Sequence, residues 1–214
     1  MSSRTTSLRL FAEDTAHESF VQSVVRRIAR EEDVATIVHT GSAVGGAGRA
    51  LKELKLHQRL VSPVSGEVLV AVIDANCKGW ADVSRDIRGT IDTAKFPAWV
   101  IACPDPHVER WYLADPTSLE NALGVHITPM RYKCERARYK AAFTHALRAA
   151  GHVVRLGGAE FAEDVVEAMD LYEACKADAS LRHFVDDLRS ALRRTGGPVG
   201  EPGRSAGRCT EALT

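Results

Sequence analysis

Acidic residues stand directly after short apolar segments at several points of this 214-residue chain. Glu13 and Asp14 follow the apolar run that ends at Ala12, Asp74 follows a second run, and Asp105 comes just after a third. If these runs are parallel strands, their carboxyl ends meet at one edge of the sheet, where sites usually form. Carboxylates crowded together raise one another's pKa unless a divalent cation neutralises them. The spacing therefore predicts a cation site and, as its chemistry, metal-assisted phosphodiester hydrolysis.

Two further acids can reach the same edge. Glu18 lies in the first turn of a predicted helix, and Glu109 lies on a short helix after the last strand. Oxygen ligands of this kind suit Mg²⁺ or Mn²⁺, which keeps waters for a phosphate substrate. We expect Glu13 and Asp74 to be the catalytic residues, with Glu13 placing an ion or moving a proton.

Each acid also has a purely structural interpretation. Glu13 could favour the dipole of the following helix, and Glu18 could be a solvated first-turn acid. Glu109 could pair with Arg110 or Arg136. The presence of Asp74 at an equivalent strand end favours the site interpretation for Glu13.

Two histidines, His17 and His107, lie beside acids at the predicted edge. A single histidine is more often a surface or hydrogen-bonded residue than a ligand, and we interpret both in that way. Asp115, which precedes Pro116, is expected to be a helix-end or turn residue.

The elements that must position these residues alternate in the first half of the chain. Short apolar or β-branched segments separated by helical spacing predict an α/β fold, a parallel sheet sandwiched by helices. The predicted strands are 7–12, 34–39, 67–73 and 97–103, and the predicted helices between them are 17–31, 48–59 and 83–93.

The second half is predicted to be helical, over 130–150, 159–176 and 180–194. Asp105 and Pro106 resemble an N-cap followed by Pro at the first helical position, so a short helix is expected over 107–115. The apolar positions of the last two helices indicate a core-facing stripe or a partner-docking face.

The resulting organisation is a core over 1–125, a helical extension over 126–194 packed on it, and a tail over 195–214. Gly and Pro dominate that tail, which is predicted to be disordered.

Composition limits the functional classes. The 28 basic and 28 acidic residues cancel, so a strongly basic surface for non-specific nucleic-acid binding is not expected. No segment looks like a signal peptide or a membrane span, which predicts a cytoplasmic protein. The five cysteines form no CxxC pair, which disfavours structural zinc, and their odd number fits a reducing compartment, with most as small buried residues.

The motifs at the strand ends resemble those of the Toprim fold, specifically the Toprim nuclease domains of the OLD family. The segment from Ala12 to Phe20 is similar to the family's strand-E-G-x-x-D/E-x-x-F motif, and Asp74-Ala75-Asn76 is similar to its Asp-x-Asp motif. The segment PDPHVERWYLAD resembles an acidic-aromatic element of Toprim-like proteins in bacterial anti-phage systems. The resemblance covers roughly residues 7 to 115.

This resemblance implies a Toprim-like nuclease subunit that uses Mg²⁺ or Mn²⁺ in bacterial defence or DNA repair. Asp14 stands where the family has Gly, and Asn76 stands where it has a second Asp, so that ligand loses its charge. The metal ligands that the resemblance implies are Glu13, Glu18, Asp74, Asn76 and Glu109.

OLD-family nucleases usually join Toprim to an ABC-type ATPase. The loop 40–50 lacks both the Lys-Ser/Thr pair of a P-loop and GxGxxG spacing, so the ATPase partner is expected in trans. The loop is interpreted as a tight turn, with backbone contact to phosphate as the alternative.

Basic residues near the predicted edge are candidates for contact with a phosphate backbone, DNA more than RNA, interleaved with Tyr132 and Tyr139. A solvated basic helix is the alternative. Two other functions fit the sequence. One is a catalytically silent Toprim-like module that binds and regulates a partner or nucleic acid, and the other is a nucleotide-handling α/β enzyme. Each is compatible with a homo- or hetero-oligomer. The nucleic-acid candidates are Lys78, Arg131, Lys133 and Lys140, with Arg136 and Arg138 on the same predicted helix.

Overall fold

The computed structural model describes residues 5–42, 47–135 and 137–196. Most of the predicted tail, part of the Gly-rich loop, Arg136 and Cys209 lie outside these ranges. What the sequence predicts for those positions therefore stays a prediction.

The predicted α/β architecture is confirmed. Four parallel strands form one sheet in the order β2-β1-β3-β4. Ala12 pairs with Val72, and Val72 pairs with Ala102, so the carboxyl ends of β1, β3 and β4 stand level with one another. The strands are β1 (Thr5–Ala12), β2 (Ala35–Ser42), β3 (Val68–Val72) and β4 (Ala98–Ala102).

Helices cover both faces of the sheet and continue through the C-terminal part. Their bounds are α1 (Thr15–Glu31), α2 (Ala47–Leu60), α3 (Trp80–Arg88), α4 (Glu109–Tyr112), α5 (Pro116–Leu123), α6 (Arg138–Ala149), a 3₁₀ turn (Ala159–Phe161), α7 (Ala162–Ala168), α8 (Leu171–Ala177) and α9 (Ala179–Gly196).

Alternation along the strands creates two apolar layers. Leu8 and Leu10 of β1 face α1 and the C-terminal helices, whereas Phe11 faces α2 and α3. Most of the predicted apolar stripe of the last helices faces the core, including Leu181 and Phe184, whereas Tyr172 is exposed. The helical C-terminal part thus completes the layer that covers α1.

Two predicted segments have different bounds for identifiable reasons. The three residues from Thr40 to Ser42, expected in a loop, extend β2 because they pair with the last three residues of β1. The predicted helix 159–176 is interrupted after α7, where the Asp170 carboxylate accepts the N–H groups of Tyr172 and Glu173 and begins α8.

The basic helix is shorter than predicted. It begins at Arg138 and not at 130, so Arg131 and Lys133 precede it and share no helical face with Lys140. The prediction of one helix over 130–150 that carries Arg131 and Lys133 was therefore wrong.

The predicted cap at Asp105 was also wrong. The Asp105–Pro106 bond is cis, and the Asp105 carboxylate accepts hydrogen bonds from the Trp80 N–H and the Tyr132 hydroxyl. The helix that follows, α4, begins only at Glu109. Asp115 is a helix-end residue as expected, because it caps α5.

The cysteines depart from the expectation of small buried residues. Cys103 is buried, but Cys77 and Cys134 are exposed and form a disulfide across 57 residues. This bond joins the loop after β3 to the segment before α6. Within the described ranges, no helix combines the length and the apolar character needed to cross a membrane.

Candidate metal centre

Glu13 turns from the end of β1 toward the end of β3. Its N–H donates to the Val72 carbonyl, which extends strand pairing by one residue, and its carboxylate accepts the Asp74 N–H at 3.1 Å. Both Glu13 and Asp74 are 7% exposed. The predicted meeting of these two acids at one edge of the sheet is therefore what the structure shows.

His17 joins them from the first turn of α1. Asp14 begins that helix, because its carboxylate accepts the N–H groups of Ala16 and His17. The same carboxylate oxygen lies 2.7 Å from Nδ1 of His17. The cap thus fixes both the start of the helix and the orientation of the imidazole, which is 2% exposed.

The hydrogen bond to Asp14 determines what the other ring nitrogen can do. Burial alone would raise the pKa of Asp14, but its hydrogen bonds and its attraction to His17 lower it to about 2. Asp14 is then a pure acceptor, so Nδ1 of His17 carries the proton. In the neutral ring, Nε2 is left with a lone pair.

Nε2 faces a second carboxylate. It lies 2.7 Å from Oδ1 of Asp74, the distance of an ion pair. The contact is held by a proton on Nε2 or by a metal ion that both atoms bind. Burial opposes a proton on His17, but Asp74 and Asp14 outweigh burial and raise the pKa of His17 well above its usual range.

The same three residues are close enough together to be candidate metal ligands. Donor atoms of Glu13, His17 and Asp74 all lie within 4.8 Å of one another. A carboxylate that holds the far nitrogen of a ligand histidine, as Asp14 does, is the usual partner of such a site. The donor set fits a divalent metal.

His107 holds the second oxygen of Asp74. Its Nδ1 lies 3.0 Å from Oδ2 of Asp74, so the carboxylate is fixed between two imidazoles. This hydrogen bond raises the pKa of His107, although burial opposes the shift. Burial would raise the pKa of Asp74, but the two histidines lower it, so Asp74 is ionised.

Glu109 interacts electrostatically with Asp74 and His17 but is not part of the ligand group. Burial, followed by the charge of Asp74, raises the pKa of both Glu13 and Glu109. Lys140 and His17 partly offset this shift at Glu109. The acids therefore feel one another, as the sequence predicted, but among the described residues the metal-competent group contains Glu13, His17 and Asp74.

The other predicted ligands lie close by in different roles. Glu18 is half-buried in the first turn of α1, with its N–H on the Asp14 carbonyl, and stands outside the ligand group. Asn76 has a left-handed backbone (φ 47°), and its amide nitrogen donates to the Asp74 carbonyl at 3.3 Å. Its role as a ligand stays a prediction.

Sequence reasoning missed the role of His17, which it interpreted as an ordinary histidine. A signal was present, because Asp14 and His17 are three residues apart at a strand-to-helix junction. At an N-cap this spacing brings the two side chains together. The expectation of ligands through oxygen alone is therefore replaced by a mixed set of oxygen and nitrogen.

Two of the four predicted nucleic-acid residues lie near the candidate metal ligands, and two are exposed on the segment before α6. Lys78 lines a cavity of about 140 Å³ together with Asp74 and Asn76. Lys140 is close enough to affect Glu109. Arg131 and Lys133 are exposed on the segment before α6, and Lys133 pairs with Glu135.

Fold and site together define an α/β protein whose parallel sheet carries a buried acid–histidine group able to bind a metal. No family model, curated protein or solved structure matches the chain.

Proposed function

We propose that the chain is a Toprim-like, metal-dependent nuclease subunit that hydrolyses phosphodiester bonds. The observation that carries the proposal is the buried group of Glu13, His17 and Asp74, whose donor atoms lie within 4.8 Å of one another, with Nε2 of His17 at 2.7 Å from Oδ1 of Asp74. A proton on Nε2 holds this contact in the metal-free protein, and a metal ion that binds here would replace that proton.

The proposed cofactor is Mn²⁺ in preference to Mg²⁺. Mg²⁺ demands near-ideal octahedral geometry with oxygen ligands, and a set that includes an imidazole departs from this preference, whereas Mn²⁺ precedes Fe²⁺ in the affinity series for sites with nitrogen and oxygen ligands. A bound cation of this type supplies Lewis-acid stabilisation of the charge that develops on phosphoryl oxygens.

The chain's own residues have separable tasks. Oε2 of Glu13 accepts the Asp74 N–H, which leaves Oε1 either to bind the ion or to accept a proton from an attacking water. The raised pKa of Glu13, caused by burial and by Asp74, brings it closer to the range of a general base. His107 is a positioning residue, because it fixes the carboxylate plane of Asp74.

The partner and the setting rest on the motif resemblance alone. An ABC-type ATPase in trans, a DNA substrate and a role in bacterial defence or repair belong to the proposal on that basis. The silent-module alternative draws on Asn76, because its amide nitrogen is engaged by the Asp74 carbonyl and it brings no second negative charge.

The test begins with the protein by itself. Isothermal titration with Mn²⁺ and Mg²⁺ should show one tight Mn²⁺ site that Glu13→Gln and Asp74→Asn each weaken. The same variants should abolish Mn²⁺-dependent cleavage of single-stranded and duplex DNA and of RNA. Glu120→Gln is the matched control, because Glu120 is an exposed acid paired only to His126 at 3.4 Å among the contacts described.

The outcomes separate the hypotheses. Metal binding together with cleavage that depends on both acids supports the nuclease. Metal binding without cleavage, when a candidate ABC-type ATPase partner is supplied, favours the silent module. If Mn²⁺ does not bind to the folded protein, the metal centre is refuted.

A further inference from the structure

We propose that the disulfide between Cys77 and Cys134 is a redox switch that orders the segment 126–135 beside the metal centre; its effect on substrate rests on the proposed function. We call this segment the strap. It joins α5 to the region before α6, has no helix or strand of its own, and is mostly exposed.

The strap packs Ile127 and Met130 against the core, and its described polar contacts with the site region are few. The Tyr132 hydroxyl donates to Asp105 at 3.0 Å, and the guanidinium of Arg110 stacks on the Tyr132 ring at 5.1 Å. Near its end, the Lys133 N–H donates to the Tyr139 hydroxyl. Tyr132 and Lys133 are exposed, so water competes for these contacts. Among the described contacts of the strap, the disulfide from Cys134 to Cys77 is covalent and does not compete with water.

The strap is attached at two places close to the site, by the disulfide to Cys77 and by the hydrogen bond from Tyr132 to Asp105. Cys77 lies three residues after Asp74, and Asp105 lies two residues before His107, so the strap is attached to both loops that carry the Asp74–His107 pair. Asn76 and Cys77 both have left-handed backbones, with φ of 47° and 68°. Residues other than Gly keep such conformations where the surroundings hold them.

The disulfide is more accessible to exchange than Cys103, which is buried, or Cys175, which is half-buried. Both of its cysteines are exposed, whereas burial raises the pKa of the Cys103 thiol to about 12 and that of the Cys175 thiol to about 11. Exchange requires a thiolate and access to a sulfur atom. A reductant therefore meets the bond at the strap first.

The chemistry is a two-electron exchange with a dithiol. One thiolate of the dithiol attacks a sulfur atom of the disulfide, the S–S bond breaks, and a mixed disulfide forms. The second thiol displaces the protein sulfur. The dithiol ends as its own disulfide, and Cys77 and Cys134 end as two thiols that have taken up two electrons and two protons.

Ordering of the strap is measured without reference to activity. Trypsin cleaves after Arg131 and Lys133, and we expect the rate of cleavage there to rise about tenfold after reduction, because proteolysis follows the population of the open segment. Cys134→Ser should show the same rise without reductant. Cys175→Ser, which keeps the disulfide, is the matched control. Mass spectrometry of alkylated protein should count two new thiols on mild reduction.

The effect on the site is measured with metal and with a nucleic-acid probe. Mn²⁺ affinity should change less than about twofold in Cys134→Ser, whereas anisotropy with fluorescent single-stranded DNA should show about tenfold weaker binding, as expected when a segment must be ordered on binding. A response of strap cleavage to reduction, without binding of single-stranded DNA, duplex DNA or RNA in either state, supports the switch and counts against the proposed function. Equal strap cleavage in the oxidised, reduced and Cys134→Ser proteins overturns the switch.

Discussion

Replacement of Asp14 by Asn is the sharpest test of the proposed centre. Asp14 touches no metal in the proposal; it caps α1 and fixes Nδ1 of His17 through one carboxylate oxygen. Asn is among the best capping residues, so Asp14→Asn should keep the start of the helix. What it removes is the negative charge that keeps Nε2 of His17 a strong metal donor.

The expected magnitude follows from this separation. Loss of a partner that holds the far nitrogen of a ligand histidine typically lowers metal affinity 10- to 100-fold, which corresponds to about 1.4–2.7 kcal/mol. The unfolding free energy of the metal-free protein should fall as well, because Asp14→Asn keeps the cap but loses the ion pair with His17. The loss of metal affinity is therefore measured on protein that is shown to be folded.

The measurement is Mn²⁺ titration of Asp14→Asn beside urea unfolding of the metal-free protein. Asp170→Asn is the matched control: Asp170 caps α8 through one oxygen in the same way and has no histidine on it. The reasoning is refuted if Asp14→Asn binds Mn²⁺ as tightly as the parent, or if Asp170→Asn loses as much affinity.

Two predictions concern the scaffold. Burial would raise the pKa of Asp115, but hydrogen bonds from Ser118 and Asp170 lower it below its usual 3.8. The ionised Asp115 therefore contributes to the unfolding free energy above pH 3.8, and this contribution is lost as the pH falls through the folded-state pKa. Urea unfolding between pH 2 and 6 should show a flatter acid loss for Asp115→Asn, and an unchanged profile would contradict this. Gly158 has φ of +98°, and a Cβ there would lie 2.5 Å from the Phe143 ring, so Gly158→Ala should cost about 2–3 kcal/mol of unfolding free energy. Gly124→Ala, at φ +63° in open space, should cost about 1 kcal/mol, and equal losses in thermal unfolding would be evidence against the steric reasoning.

The sheet was predictable because its signal is local. Continuous apolar runs such as that of β3 specify buried parallel strands whatever surrounds them. The pairing of Glu13 with Asp74 followed from the same rule, since carboxyl ends of parallel strands share an edge.

The histidines were less predictable, because their role depends on where a helix begins. Asp14 caps α1, which begins two residues earlier than the apolar periodicity indicated, and this start brings His17 to Asp74. The place of Asp105 depended on Trp80 and Tyr132, both about 25 residues away along the chain. The pairing of Cys77 with Cys134 is equally non-local, and no spacing rule indicates it.

The position of α9 sets the order in which the protein can fold during synthesis. This helix packs on β1 and β4, and a hydrogen bond joins the hydroxyls of Thr6 and Thr195. At about 5–20 residues per second, β1 leaves the ribosome about 10–40 s before α9 is complete. Until then, the apolar side chains of Leu8 and Leu10 lack part of their cover. The interval is a window in which a chaperone, or another unfinished chain, can bind the uncovered strand.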